Sequence, residues 1–380
     1  MVCKNTVKCA SPKRLHLLVN FNKDKYKNIK FALMNRKNFL SSIVPLSASV
    51  GAFNKETFLK GNNSIFEEDK KIKIPSYLKR GDVIGITCPS GYISLEDIQP
   101  AVEKMKEWGF EIRIGDTVSD LNFTFAGTDK ERAADFQKMI DDPSIKAIML
   151  GRGGYGAVRI IDKINFKKFA AKPKWIIGFS DATVFHSHIS ANLRIATIHS
   201  KMCNSFPSDW ANAEPLQIDS IESIRKCLAG DKMEYTAIAE EQNKYGVAEG
   251  ELIGGNLSIL QNLAATKSEI QTDGKILFIE EVDEYLYSID RMLWNLKRSG
   301  KFDKLKALIV GGFNRIKPDD PGEEFGENIY EMILEKVKEY DYPVCFNFPV
   351  GHQRINYALK CGMKHRLNVS DNSVTLKQIK

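Results

Sequence analysis

Ser180 lies between an apolar run, W-I-I-G-F, and a stretch with helical texture, D-A-T-V-F-H. A serine at the end of a buried strand, just before a helix, has its hydroxyl exposed and the helix's unpaired N–H groups aimed at it, an arrangement that favours developing negative charge. G-F-S-D resembles the strand-turn-helix placement of a nucleophilic serine, although it lacks the second glycine of G-x-S-x-G. The competing reading is structural, with Ser180 as an ordinary helix cap.

A nucleophilic serine needs a base, and the base needs an acceptor to orient it. The chain has six histidines: His16, His186, His188, His199, His352 and His365. His186 and His188 are two apart on a helix and face different ways, so they do not form a metal pair. His352 closes F-P-V-G-H, at the end of a strand candidate. Glu280 and Glu281 end the apolar run K-I-L-F-I-E-E, where a carboxylate is costly unless paired or used. The loop Arg152-Gly153-Gly154-Tyr155-Gly156 lets backbone approach a ligand closely. It suits an oxyanion or another anion. A nucleotide phosphate is the rival occupant, but the loop has neither G-x-G-x-x-G spacing nor a G-K-[ST].

These residues need a frame. Strand candidates V-I-G-I-T, E-I-R-I-G, K-A-I-M-L-G and K-W-I-I-G-F-S alternate with helix candidates from Ser94 to Leu193. In the first helix Ile98, Val102, Met105 and Trp108 share a stripe; Thr128 and Asp129 are cap candidates for the second. The alternation predicts an α/β fold with a parallel sheet covered on both faces. Functional residues of such sheets gather at the carboxyl ends of the strands, where Pro89-Ser90-Gly91, Arg152-Gly153-Gly154 and Ser180 all fall. Residues 207–245 read as an irregular connection. A second α/β unit then runs over 246–380: G-E-L-I-G-G as a turn before a helix, K-I-L-F-I-E-E-V and K-A-L-I-V-G-G-F as strands, and a closing hairpin turning at Asp371-Asn372.

The 380 residues, 43% hydrophobic, suffice for two cores. The net charge of +7 is uneven: residues 1–80 hold 17 basic and 5 acidic groups, the other 300 hold 38 and 43. The mildly acidic body argues against nucleic-acid binding. Seven scattered cysteines, Cys3, Cys9, Cys88, Cys203, Cys227, Cys345 and Cys361, form no C-x-x-C pair, which argues against a zinc site or a disulfide framework. Within the leader, 1–72, Met34 opens a short basic start and an apolar run to about Ala52, the layout of an export signal at 34–52, with Met34 as an alternative start. The competing reading is a disordered leader with a chance apolar patch. Residues 53–72 read as a polar linker.

Taken together, G-D-V-I-G-I-T-C-P-S-G-Y-I, the segment Phe125–Asp162, W-I-I-G-F-S-D-A-T-V-F-H, G-E-L-I-G-G-N-L-S-I-L-Q-N-L, the segment Ile276–Leu293 and F-P-V-G-H-Q-R-I-N-Y-A-L-K-C-G resemble the LD-carboxypeptidase family of serine peptidases. That family includes muramoyltetrapeptide carboxypeptidase and the microcin C self-immunity peptidase. The resemblance implies a flavodoxin-like parallel-sheet N-terminal domain, 73–206, and a smaller β-rich α/β C-terminal domain, 246–380. It implies Ser180 as nucleophile, Glu280 as acid with Glu281 as rival, and His352 as base. The backbone N–H groups of Gly154 and Asp181 would form the oxyanion hole. It implies no metal or organic cofactor, a murein tetrapeptide losing its terminal D-alanine, and a homodimer. Lys360 stands where the family often has proline. Cytosolic relatives set a cytoplasmic location against the periplasmic or exported one read from the leader. Two rivals stand beside this: a hydrolase of microcin-class peptide antibiotics, and a non-catalytic anion-binding protein.

Overall fold

The computed structural model describes residues 71–379, which fall within one compact unit, Glu68–Lys380. The export signal at 34–52, the alternative start at Met34, Cys3, Cys9 and nearly all of the leader lie outside the described residues.

The first sheet is built from β1 (Val83–Thr87), β2 (Glu111–Ile114), β3 (Ile145–Leu150), β4 (Trp175–Gly178) and β5 (Thr197–His199). Their spatial order is β2-β1-β3-β4-β5, all parallel. This is the flavodoxin-like order. The helices between them are α1 (Leu95–Glu107), α2 (Asp129–Asp141), α3 (Ala157–Ile160), α4 (Lys167–Ala171) and α5 (Thr183–Leu193). Both faces are buried: Ala147 and Met149 of β3 join one core, Ile148 and Leu150 the other. Such double burial is why these strands read as unbroken apolar runs. Ser94 and Thr128 cap α1 and α2 with reciprocal boxes to Asp97 and Glu131, so Thr128 rather than Asp129 is the cap. Ile98, Val102 and Met105 are buried on α1, and Trp108 caps its end.

The chain then forms α6 (Pro215–Ala229) and β6 (Glu234–Ile238). The segment expected to be an irregular connection therefore holds a 15-residue helix and an edge strand. Its small polar residues misled because some of them face inward. Buried Ser220 and Ser223 bond within the helix to Leu216 O and Ser220 O, and their hydroxyls accept from Asn356 N–H and Ala358 N–H.

The second sheet contains β7 (Gly246–Asn256), β8 (Ile276–Val282), β9 (Ala307–Asn314), β10 (Val344–Cys345), and, after β11 (Leu359–Cys361), the hairpin β12 (Lys364–Val369) and β13 (Ser373–Gln378). Its order is β10-β9-β8-β7-β12-β13-β6, parallel from β10 to β7 and antiparallel beyond. The helices α7 (Leu257–Asn262), α8 (Leu286–Arg298) and α9 (Ile329–Val337) complete it. The predicted closing hairpin is present. G-E-L-I-G-G, read as a turn, is instead the end of the 11-residue strand β7. Its glycines serve close packing: Gly255 has φ +150°, and a Cβ there would lie 2.4 Å from Thr183 Oγ1 at the start of α5. β11 pairs antiparallel with β5, so the C-terminal part adds a strand to the first sheet. Lys360 is buried on it, with Nζ donating to Asp231 O and Gln378 Oε1. Among the described residues Cys88, Cys203, Cys227, Cys345 and Cys361 are free and buried, no group of His, Cys, Asp and Glu is arranged to hold a metal, and no helix is long and apolar enough to cross a membrane.

Burial holds several histidines neutral. It pushes His186 and His365 down to about 4 from 6.5, and His199 well below 6.5. A depressed folded-state pKa gives stability that is present above 6.5 and lost as pH falls through the folded value. The urea midpoint is expected to drop between pH 6.5 and 4, and to drop less in His365→Asn. A midpoint as high at pH 4.5 as at pH 7 would contradict this.

Candidate active site

β4 ends at Gly178, Phe179 is extended, and Ser180 turns the chain with φ +61° into a single 3-10 turn, Ser180–Ala182, that runs on into α5. Left-handed backbone at a non-glycine residue costs roughly 1–2 kcal/mol and is found where surrounding structure over-determines it. Ala182 occupies the place of the missing second glycine. A Cβ on Gly178 would already lie 3.0 Å from the Ala182 Cβ, so this turn tolerates one methyl group and not two.

The surroundings that hold the turn are polar. Asp181 is buried, and its Oδ2 accepts from Ser90 Oγ at 2.5 Å and from Ala157 N–H at 2.8 Å. Burial pushes its carboxyl up; those two donors and the Arg132 guanidinium pull it back. One carboxylate thereby ties the turn after β1 and the end of the glycine loop to the Ser180 turn. Arg132 of α2 is fully buried and donates to Pro89 O at 2.5 Å and Gly156 O at 3.0 Å, with Asp129 as its counter-ion. It fastens the same two loops from behind.

The glycine loop lies against the serine. A Cβ on Gly153 would stand 2.9 Å from Ser180 Oγ, so backbone alone fits there. Gly153 O accepts from Gly91 N–H at 3.0 Å. In a trans peptide the carbonyl and the next N–H point opposite ways. The Gly154 N–H therefore points away from Gly91.

Glu280 and Glu281 separate by partner. The pairing of β8 with β9 shifts register between Ile279 and Glu281, a bulge of the kind that re-aims side chains. Glu280 is fully buried, and its Oε2 accepts from His352 Nδ1–H at 2.6 Å and from His352 backbone N–H at 3.1 Å. Glu281 accepts instead from Asn256 Nδ2 at 2.8 Å, Ser258 N–H at 2.6 Å and Val282 N–H at 2.9 Å. It caps α7 and makes no bond to a histidine. Burial pushes its carboxyl up.

Gly351 makes the Glu280–His352 approach possible. It has φ +97°, and a Cβ there would fall 2.4 Å from the Glu280 Cβ. Gly351→Ala is expected to push the His352 loop off Glu280 and lower kcat about 100-fold, because a misplacement near 1 Å costs that much. Steady-state kinetics on the soluble, folded variant test this. Unchanged kcat would mean the loop relaxes without moving His352.

His352 is otherwise held by Asn314 Nδ2, which donates to its carbonyl at 2.7 Å, and by the Phe179 ring, 4.8 Å between centroids. Phe179, Lys201, Val282, Asn314, Arg315 and His352 line a cleft of about 630 Å³. A larger groove of about 730 Å³ lies elsewhere, around the ion pairs of Arg194 and Lys275 with Glu251. Ser180 and His352 share no hydrogen bond. Nucleophile–base contacts are often long before substrate binds. The structure thus places Glu280 on His352, with Ser180 one residue beyond the ring that supports the imidazole, and leaves Glu281 out. Sequence reasoning missed Arg132, the Ser90–Asp181 link and Lys201. For Arg132 a signal existed: it shares a helical stripe with buried Phe136, Met139 and Ile140, where a charge is out of place.

A serine with left-handed backbone thus follows a strand of the first sheet, and a buried carboxylate on β8 of the second sheet bonds His352. The chain belongs to the LD-carboxypeptidase family: the N-terminal domain of that family matches residues 84–200 and the C-terminal domain matches residues 249–367. It is 29% identical to the probable murein peptide carboxypeptidase of Bacillus subtilis, over 80% of this chain and 94% of the relative. It is 26% identical to the microcin C7 self-immunity protein MccF of Escherichia coli, over 78% and 94%. Among solved structures, the muramoyltetrapeptide carboxypeptidase from Oxalobacter formigenes superposes with a TM-score of 0.69 at 26% identity, covering 78% of this chain and 99% of that one.

Proposed function

We propose that the chain is a serine-type LD-carboxypeptidase that releases the terminal D-alanine of murein tetrapeptides in cell-wall recycling or remodelling. The bond cut joins an L-configured centre, such as that of diaminopimelate, to D-alanine. Ser180 Oγ attacks the carbonyl, and His352 takes its proton. The observation that carries this is the 2.6 Å bond from His352 Nδ1–H to fully buried Glu280. With Nδ1 bearing the proton, Nε2 is the free basic nitrogen, and the carboxylate stabilises the imidazolium. The N–H groups of Gly154 and Asp181 receive the oxyanion. His352 returns the proton to the departing D-alanine amine. A water, activated by His352, then frees the acyl-enzyme. Two relatives named for murein peptides or muramoyltetrapeptides support the substrate class.

A second reading, hydrolysis of a peptide antibiotic of the microcin class, draws on the likeness to MccF and on the Lys201 ammonium in the cleft, which suits an anionic group. Incubating the full chain with L-Ala-γ-D-Glu-meso-diaminopimelate-D-Ala and following the mass separates the two. Loss of one D-alanine is expected. A folded protein that leaves the peptide intact but cleaves an aminoacyl-nucleotide antibiotic would favour the second reading. Failure on both, with no labelling of Ser180 by a serine-reactive probe, would leave a binding protein. Export directed by residues 34–52 and a homodimer complete the proposal; cell fractionation and sedimentation equilibrium test them.

A further inference from the structure

Lys201 is the second residue beyond β5, as Ser180 is the second beyond β4. The two strand ends are laced together: Gly178 pairs with His199, and Ser200 N–H donates to Gly178 O at 3.1 Å. Lys201 therefore enters the cleft beside the Ser180 turn. Its ammonium lies 5.8 Å from the centre of the Phe179 ring, on which His352 also leans. Nζ donates to Gln353 O at 2.8 Å, and an ammonium has three donors. The other two basic groups of the lining are committed: Arg315 pairs with Asp283 and Arg354 with Glu214, and all four of those side chains are largely exposed. Among the described residues Lys201 is the cation of this cleft without a carboxylate partner. Burial pulls its pKa down, and the Glu280 carboxylate, already engaged by His352, draws it back up.

A half-buried cation with unused donors gains from an arriving anion, because the cost of removing it from water is already borne. Resting on the carboxypeptidase reading above, we propose that Lys201 anchors the free α-carboxylate of the substrate's last residue. That carboxylate is a single residue from the scissile carbonyl, within roughly 4 Å along the chain. Its anchor must therefore stand close to the attacking serine, and Lys201 leaves the strand end paired with the one that leads to Ser180. The anchor makes the enzyme an exopeptidase: a peptide continuing past this point brings a neutral amide to an ammonium that wants a charge.

The test compares one tetrapeptide as its free acid and as its C-terminal amide, using full-length wild type, Lys201→Met and Lys201→Arg. Wild type is expected to favour the acid by about 100-fold in kcat/KM, as sites built around a polar group reject analogues that lack it. Lys201→Met should lose about that factor on the acid, mainly through KM, and stay within about twofold on the amide. Lys201→Arg should recover part of the preference. The acid-to-amide ratio is taken within each variant, so a reduced folded fraction cancels. Turnover with that ratio unchanged in Lys201→Met overturns the anchor and leaves the carboxypeptidase reading standing. Wild type that cleaves neither peptide overturns both.

Discussion

Ser180→Ala is expected to lower kcat for D-alanine release by about 10⁵-fold or more, the scale seen when a serine hydrolase loses its nucleophile. The thiols Cys88 and Cys203 are poor substitutes: both are buried, and burial pushes their pKa up. Residual turnover would come from the oxyanion donors and substrate binding. Stability should move the other way in a companion variant. Ser180 carries φ +61°, so Ser180→Gly removes the left-handed strain and should gain up to about 1 kcal/mol while being as inactive as the alanine variant. A gain in stability coupled to loss of activity is the signature of strain held for function. Mass spectrometry of the product and urea melts measure the two effects. A tenth of wild-type activity in Ser180→Ala would place the nucleophile elsewhere.

Glu280→Gln is expected to lower kcat by about 10⁴-fold, the loss found when the orienting carboxylate of such a site becomes an amide. The amide keeps the shape but offers no charge to the imidazolium. Its NH₂ can also face Nδ1 and impose the wrong tautomer. The fold should hold, since neutralising a fully buried carboxylate removes a desolvation cost. Glu281→Gln should do the opposite. Glu281 takes three donors from Asn256, Ser258 and Val282, and an amide has one acceptor oxygen where the carboxylate has two. That leaves a buried donor unpaired, at about 1–3 kcal/mol, with only a small effect on kcat. Parallel kinetics and urea melts on the two variants decide the matter. Greater loss of activity in Glu281→Gln than in Glu280→Gln would reverse the roles given to the pair.

Much of the first sheet was legible because its signals are local. Apolar runs bounded by Pro89-Ser90-Gly91 or Arg152-Gly153-Gly154 mark strands buried on both faces, and the Thr128-Asp129 pair marks a helix start, which the structure assigns to Thr128. The misreadings share a cause. G-E-L-I-G-G looked like a turn because glycine is the usual turn residue, yet Gly255 is there so that β7 can touch Thr183, a neighbour 72 positions away in sequence. Residues 207–245 looked irregular because Ser220 and Ser223 are polar, yet both are buried where they bond to the strand-side segment at Asn356 and Ala358.

The site divides along the same line. By itself the sequence determined that Ser180 stands at a strand-to-helix turn, that a glycine-rich loop accompanies it, and that Glu280, Glu281 and His352 end apolar strands or follow them. Those are consequences of short-range pattern, since backbone periodicity and turn chemistry are set within a few residues. Only the tertiary structure decided that Glu280 and not Glu281 meets His352, that Arg132 and Asp181 bind the two loops around the serine, and that Lys201 enters the cleft. Each of those depends on which buried polar group finds a partner across long separations of chain, and hydrogen-bond satisfaction in a low-dielectric interior is settled by three-dimensional packing alone.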